Sequence, residues 1–245
     1  MSDELRLGRW LHMGKGFVDF HSHILPLLDH GAITWQHSLE QAEHALSAGV
    51  ETIVATSHFY LEHESITDFL ARREEASRLL DEHLQATGTP LHIIPAAEVT
   101  LYVDLLGEDL SKLCIGDTRY ILLELPMVYW TDWVYQAVYE IQSTHQLLPI
   151  IAHIDRYETA QLERLLAMGP LAQVNASAFR HRATRRRMMH YIREGMIHFL
   201  GSDAHGDGKR AYADFQRAIS YIHRHVDNFM AQADTVLVEN CKGLV

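Results

Sequence analysis

At 245 residues, with 47% hydrophobic residues and a formal net charge of -11 at pH 7, the chain is sized for one large α/β domain or two small ones, with a substantial core. The acidic balance argues against general affinity for nucleic acid, and no apolar run approaches the ~20 residues needed for membrane insertion. Two cysteines make no disulfide framework, and Met1 to Gly16 mixes charged residues without the apolar segment of a secretory signal, so a cytoplasmic protein is expected.

Phe17 to Gly31, F-V-D-F-H-S-H-I-L-P-L-L-D-H-G, opens on an apolar, β-prone run that delivers Asp19, His21, His23, Asp29 and His30 to one place. Residues two apart on a strand share a face, so His21 and His23 can address one ion, and the following loop can fold Asp29 or His30 back towards it. Ser38 to Ala48 has helical periodicity and is closed by Gly49. E-T-I-V-A-T-S-H is a buried strand ending at His58, and Ile66 to Ala86 is a helix stopped by Gly88 and Pro90. L-H-I-I-P-A-A-E ends at Glu98, and R-Y-I-L-L-E-L-P carries Glu124. Trp133 to His145 is helical and leads into a strand that ends at His153. A short helix from Leu162 to Met168 precedes A-Q-V-N-A-S, which carries Asn175. Arg182 to Glu194 is a basic helix, I-H-F-L-G-S-D-A-H delivers Asp203 and His205, and Tyr212 to His225 is the last clear helix.

Seven strands alternating with helices imply a parallel sheet with helical crossovers. Residues 1–15 are read as an N-terminal arm and 16–245 as one domain. Ligand-type residues stand at the C-terminal ends of six strands, which favours a (β/α) barrel over an open sheet with a single switch point. The set is His21, His23, His30, His58, Glu98, Glu124, His153, Asp203 and His205. Imidazole and carboxylate donors suit Mn, Fe or Zn, and the set is too large for one ion, so two or three bridged divalent ions are expected. Such a cluster suits phosphoester hydrolysis.

The motifs D-F-H-S-H-I, A-T-S-H, A-A-E-V, A-H-I-D-R-Y, Q-V-N-A-S and S-D-A-H resemble the PHP (polymerase and histidinol phosphatase) superfamily. More closely, they resemble the manganese-dependent protein tyrosine phosphatases of bacterial capsule and exopolysaccharide loci. The resemblance runs from about Phe17 to the C-terminus. It implies a distorted (β/α)7 TIM-like barrel with three metal ions at the C-terminal ends of the strands, Mn being favoured and Fe, Co or Zn possible. One ion would take His21, His23, Glu98 and Asp203; a second Glu98, Glu124 and His153; a third His30, His58 and His205. His30 stands where those phosphatases have Asp, which leaves Asp29 as its competitor, and Asp19 is expected to orient a ligand imidazole.

The resemblance also implies that Arg156 and Arg210 bind phosphate, acting as catalytic and substrate-binding residues. The aromatics Phe59, Tyr60, Tyr129 and Trp130 lie in loops where they could flank a phenyl ring or anchor the loop. The expected reaction is direct hydrolysis of phosphotyrosine on a protein, with attack by a metal-bound hydroxide and no covalent intermediate. The implied partner is an autophosphorylating bacterial tyrosine kinase. A PHP phosphoesterase acting on a small molecule such as histidinol phosphate is the alternative. An amidohydrolase would place a Lys on the fourth strand, where this chain has Glu124, and a docking module without turnover would not need three intact ligand sets. Cys114 has Arg119 five places on, one short of the Cys-x5-Arg phosphatase loop, and is read as structural.

Overall fold

The computed structural model describes residues 16–226. The arm at 1–15, Cys241 and any closing helical turn after His225 lie outside the described residues. β1 (Phe17–Ser22) is buried at every position, as its apolar, β-prone residues require. β2 (Val50–Ala55) and β3 (His58–Phe59) are two halves of one strand interrupted at Thr56 and Ser57, and β4 (His92–Pro95) and β5 (Glu98–Thr100) are likewise interrupted at Ala96 and Ala97. β6 (Tyr120–Glu124), β7 (Leu148–Ile151), β8 (Leu171–Asn175) and β9 (Phe199–Gly201) follow.

All the strand pairings are parallel, in the orders β1-β2-β4 and β3-β5-β6-β7-β8-β9. Taking each interrupted pair as one strand leaves seven. A bridge between Ser22 and Ala204, with His23 N–H donating to Ala204 O (3.0 Å) and Asp203 N–H to His21 O (2.7 Å), joins β9 back to β1. The sheet therefore curls into the expected barrel.

Alternation along the strands separates two apolar layers. Val18, Phe20, Val54, Ile94, Leu122, Ile150 and Phe199 fill the interior. Ile53, Ile93, Ile121, Leu123 and Ile151 face the helices. Those helices are α1 (Trp35–Ser47), α2 (Ile66–Thr87), α3 (Asp132–Ser143), α4 (Thr159–Leu166), α5 (Arg182–Arg193) and α6 (Gly208–His223). Their limits are set locally: Thr34 and Ser65 cap the first turns of α1 and α2, and Gly88 ends α2 in the left-handed conformation at φ 65°. Among the described residues no helix is long and apolar enough to cross a membrane.

Candidate metal centre

Burying a polar strand end is costly unless its groups find partners, and here the partners are one another. Strict alternation would set His21 opposite Val18 and Phe20. A register irregularity between Asp19 and Ser22 instead lets Phe20 stack on Phe199 inside the barrel while His21 and His23 also turn towards the cavity. His21 Nδ1 donates to Gln173 Oε1 at 3.1 Å, and His23 Nδ1 donates to Asp29 Oδ2 at 2.8 Å. Each contact aims the Nε2 lone pair inward. There the two Nε2 atoms are 3.2 Å apart, and Glu98 Oε2 lies 3.1 Å from one and 3.2 Å from the other. Asp203 Oδ1 is 3.5 Å from both.

His58 Nδ1 is 3.3 Å from Glu98 Oε2, yet it is buried and makes no hydrogen bond. His153 Nε2 reaches Glu98 Oε1 (2.8 Å) and Glu124 Oε1 (3.4 Å). His205 donates its Nδ1 proton to the Asp203 backbone carbonyl at 3.1 Å, which leaves Nε2 as its lone pair. Its ring stacks on His23 with centroids 3.8 Å apart, and His30 stacks on His58 at 4.7 Å. Three groups have donor atoms mutually within 4.8 Å: His23 with His58 and His205, His21 with His23 and Glu98, and His58 with Glu98 and Glu124. So many converging lone pairs cannot all be satisfied by shared protons, whereas divalent cations satisfy them directly. The donor set fits such ions.

The titration shifts carry the same imprint. Burial would raise Glu98, but the charge on His21 and hydrogen bonds from His153, His21 and His23 hold it well below the usual carboxylate range. Burial would lower His23, but hydrogen bonds to Asp203, Asp29 and Glu98 raise it well above the ordinary imidazole value. His58 and His205 are each pushed down to about 4, by burial first and then by the charge on His23.

All nine residues named from the sequence meet here, although the closest groupings place His23 beside His58 and His205, where the resemblance has His30. Asp29 is spent on its neighbours: besides His23 it accepts from His58 N–H and Gly31 N–H, each at 2.8 Å. His30, with Tyr60, Arg156 and Asp203 among other residues, lines a cavity of ≈ 310 Å³ above the cluster. Arg156 also donates through Nη2 to Asp203 Oδ2. Arg210 is exposed in the first turn of α6 and is not among the residues lining this cavity.

Of the four aromatics, only Tyr60 lines the cavity, stacked on His58 with centroids 5.2 Å apart. Tyr129 is 80% exposed, while Phe59 is buried in the core and Trp130 is buried and anchored through Nε1 to Pro126 O. Asp19 is a correction. It orients no imidazole, because its carboxylate accepts from the backbone N–H groups of Ser202 and His21 and from Tyr212 O–H.

Sequence reasoning passed over Gln173, which accepts from both His21 Nδ1 and His153 N–H. It also assigned no role to Asn175, whose Nδ2 donates to Asp203 Oδ2 at 2.7 Å. Their spacing on β8 puts both on one face, a signal available in Q-V-N. His153 (φ 33°) and Asp203 (φ 53°) both hold left-handed backbone conformations just past their strands, a strain that persists where the surroundings fix it.

The family model described as "Capsular polysaccharide synthesis, CpsB/CapC" matches residues 17–245. The chain is 28% identical over 239 residues to the tyrosine-protein phosphatase YwqE of Bacillus subtilis (strain 168), covering 93% of this chain and 91% of that protein. It is similar to a crystal structure from work on YwqE of Bacillus subtilis and CpsB of Streptococcus pneumoniae, described as metal-dependent tyrosine phosphatases. That match has a TM-score of 0.79 at 25% identity and covers 91% of this chain and 95% of the other. A histidinol phosphate phosphatase of Lactococcus lactis, solved with zinc, L-histidinol and phosphate, shares the fold with a TM-score of 0.53 at 12% identity, over 83% of this chain and 92% of that one.

Proposed function

Since this chain belongs to the CpsB/CapC family of capsular polysaccharide synthesis, we propose that it is a metal-dependent phosphatase that hydrolyses phosphotyrosine on protein. The observation that carries the reading is the convergence of His21, His23, His58 and His153 on Glu98 beside a cavity that Arg156 helps to line. Divalent ions on this set, three by the resemblance and manganese foremost, would supply an activated water and concentrated positive charge for in-line displacement.

The chain's own residues do the rest. Arg156 presents a planar guanidinium fork whose remaining donors can take two phosphoryl oxygens, while Asp203 holds one of its Nη groups in place. Arg210, exposed in the first turn of α6, is proposed as a second, weaker phosphate contact. The Tyr60 ring, set over His58, gives a flat wall against which a phenyl group can lie. A phenol leaving group, with a pKa of about 10, departs with less help from an acid than an alkyl alcohol needs. The partner we propose is a tyrosine-phosphorylated bacterial kinase of exopolysaccharide synthesis, met in the cytoplasm.

The experiment is phosphate release from a phosphotyrosine peptide and from histidinol phosphate, run side by side after stripping and resupplying Mn, Fe, Co or Zn. Metal-dependent preference for the peptide is expected. Preference for histidinol phosphate would keep the cluster and overturn the substrate.

A further inference from the structure

A second cavity, of ≈ 430 Å³, opens beside the first and shares Tyr60 and Glu124 with it. Its chemistry is different. Tyr102, Val103, Leu125, Met127 and Trp133 are among its walls, and Glu124, at the shared end, is the one carboxylate among the described residues that line it, with no Lys, Arg or His. There Thr100 Oγ1 donates to Glu124 Oε2 at 3.1 Å and ties the carboxylate back. Val103 and Met127 are 62% and 52% exposed. Val128 and Tyr129 continue the exposed apolar surface along the same loop. Exposed apolar side chains gathered at one side of a polar site mark a place where something apolar is received.

We propose that this groove receives an apolar side chain flanking the phosphotyrosine of the substrate, so that the enzyme selects apolar over acidic neighbours. The inference rests on the phosphotyrosine reading above. Continuity argues for it: a chain whose phosphotyrosine ring lies against Tyr60 continues past the same ring, and one extended residue advances about 3.3–3.6 Å. Solvation argues for it too. Among the described residues lining the groove there is no Lys, Arg or His to pair with a carboxylate, so an acidic neighbour would lose water there uncompensated, whereas a leucine would lie against Val103, Leu125, Met127 and Trp133.

The test measures kcat/KM for phosphotyrosine peptides in which Leu or Asp is placed in turn at each of the two positions on either side, with phenyl phosphate as a substrate too short to reach the groove. Wild-type protein is expected to prefer Leu by about tenfold at one or more positions. Val103→Asp and Met127→Asp, both at exposed positions, should reduce that preference to about twofold or less while phenyl phosphate is hydrolysed as before. Hydrolysis of all peptides without preference would overturn the groove and leave the phosphatase reading standing. Equal losses on peptide and phenyl phosphate would assign the groove to site structure and overturn the proposal. A change from dimer to monomer in either variant would give the groove to a second copy and overturn the proposal as well. Failure of the wild type on every phosphotyrosine substrate with each metal would remove the phosphatase reading, and the proposal with it.

Discussion

Donation from His23 Nδ1 to Asp29 Oδ2 fixes which nitrogen of that ring is left to bind, and the same carboxylate pins the backbones of His58 and Gly31. Orienting partners of this kind typically matter about 10–100-fold in metal affinity. Asp29→Asn should therefore weaken metal binding by about that factor in a chelator competition titration, with the far-UV circular dichroism unchanged. Arg156 and Arg210 separate by position. Arg156→Ala should lower kcat/KM by about 10²-fold with metal content retained, and Arg210→Ala by less, because its side chain stands outside the lined cavity. Loss of metal from the Arg156 variant would instead make its contact with Asp203 a structural brace. Cys114 tests the excluded chemistry. Burial pushes its thiol up to about 12, so almost no thiolate exists near neutral pH, and Cys114→Ser should release phosphate at the wild-type rate.

Between elements, the β1–β9 seam holds the metal-binding face together. Asp19 spans it by accepting from Ser202 N–H at 2.7 Å and from Tyr212 O–H on α6 at 2.9 Å. Gly201 makes the close approach possible, since an added Cβ would lie 2.4 Å from His21 Cβ and 2.6 Å from Gln173 Nε2. Gly201→Ala must push His21 off its aim. It should cost about 1–3 kcal/mol in urea unfolding and weaken metal binding, and a variant with wild-type metal affinity would show the seam to be pliable. The strands and helices were legible because alternation, capping residues and glycine stops are local signals. Eight of the nine donor residues read from the sequence were legible because they stand in or just past the strand ends, and His30 because it follows in the loop after the first strand. The strand breaks at Thr56–Ser57 and Ala96–Ala97, the irregularity in β1, and the roles of Asp19, Asp29 and Gln173 were not. They depend on which strand lies beside which, and a side chain such as Asp19 cannot reveal from its own neighbours that it will brace a backbone 183 positions away.

Across the whole molecule, the interlocked imidazoles and carboxylates make stability depend on pH in a way that metal should reverse. In protein stripped of ions, His153 would be lowered by burial, but hydrogen bonds to Glu124 and Glu98 push it up to about 9, and His23 is likewise raised. A raised imidazole contributes stability that is whole below the unfolded value near 6.5 and is lost as pH climbs through the folded value. His58 and His205, pushed down to about 4, act in the opposite sense. Their contribution is whole above 6.5 and is lost as pH falls towards 4. Glu98, Asp29 and Asp203, all held low against burial by the surrounding histidines, steepen the acid side further. The chelated protein should therefore show its highest Tm near pH 6.5, with a decline on both sides of about 2–4 °C per kcal/mol lost. Ion binding displaces the protons that His23 and His153 hold, so the rise in Tm on adding Mn should grow from pH 6.5 to 9. Calorimetry with and without chelator checks both limbs, and a flat profile between pH 5 and 9 in chelator would mean that the cluster does not hold together through its own charges.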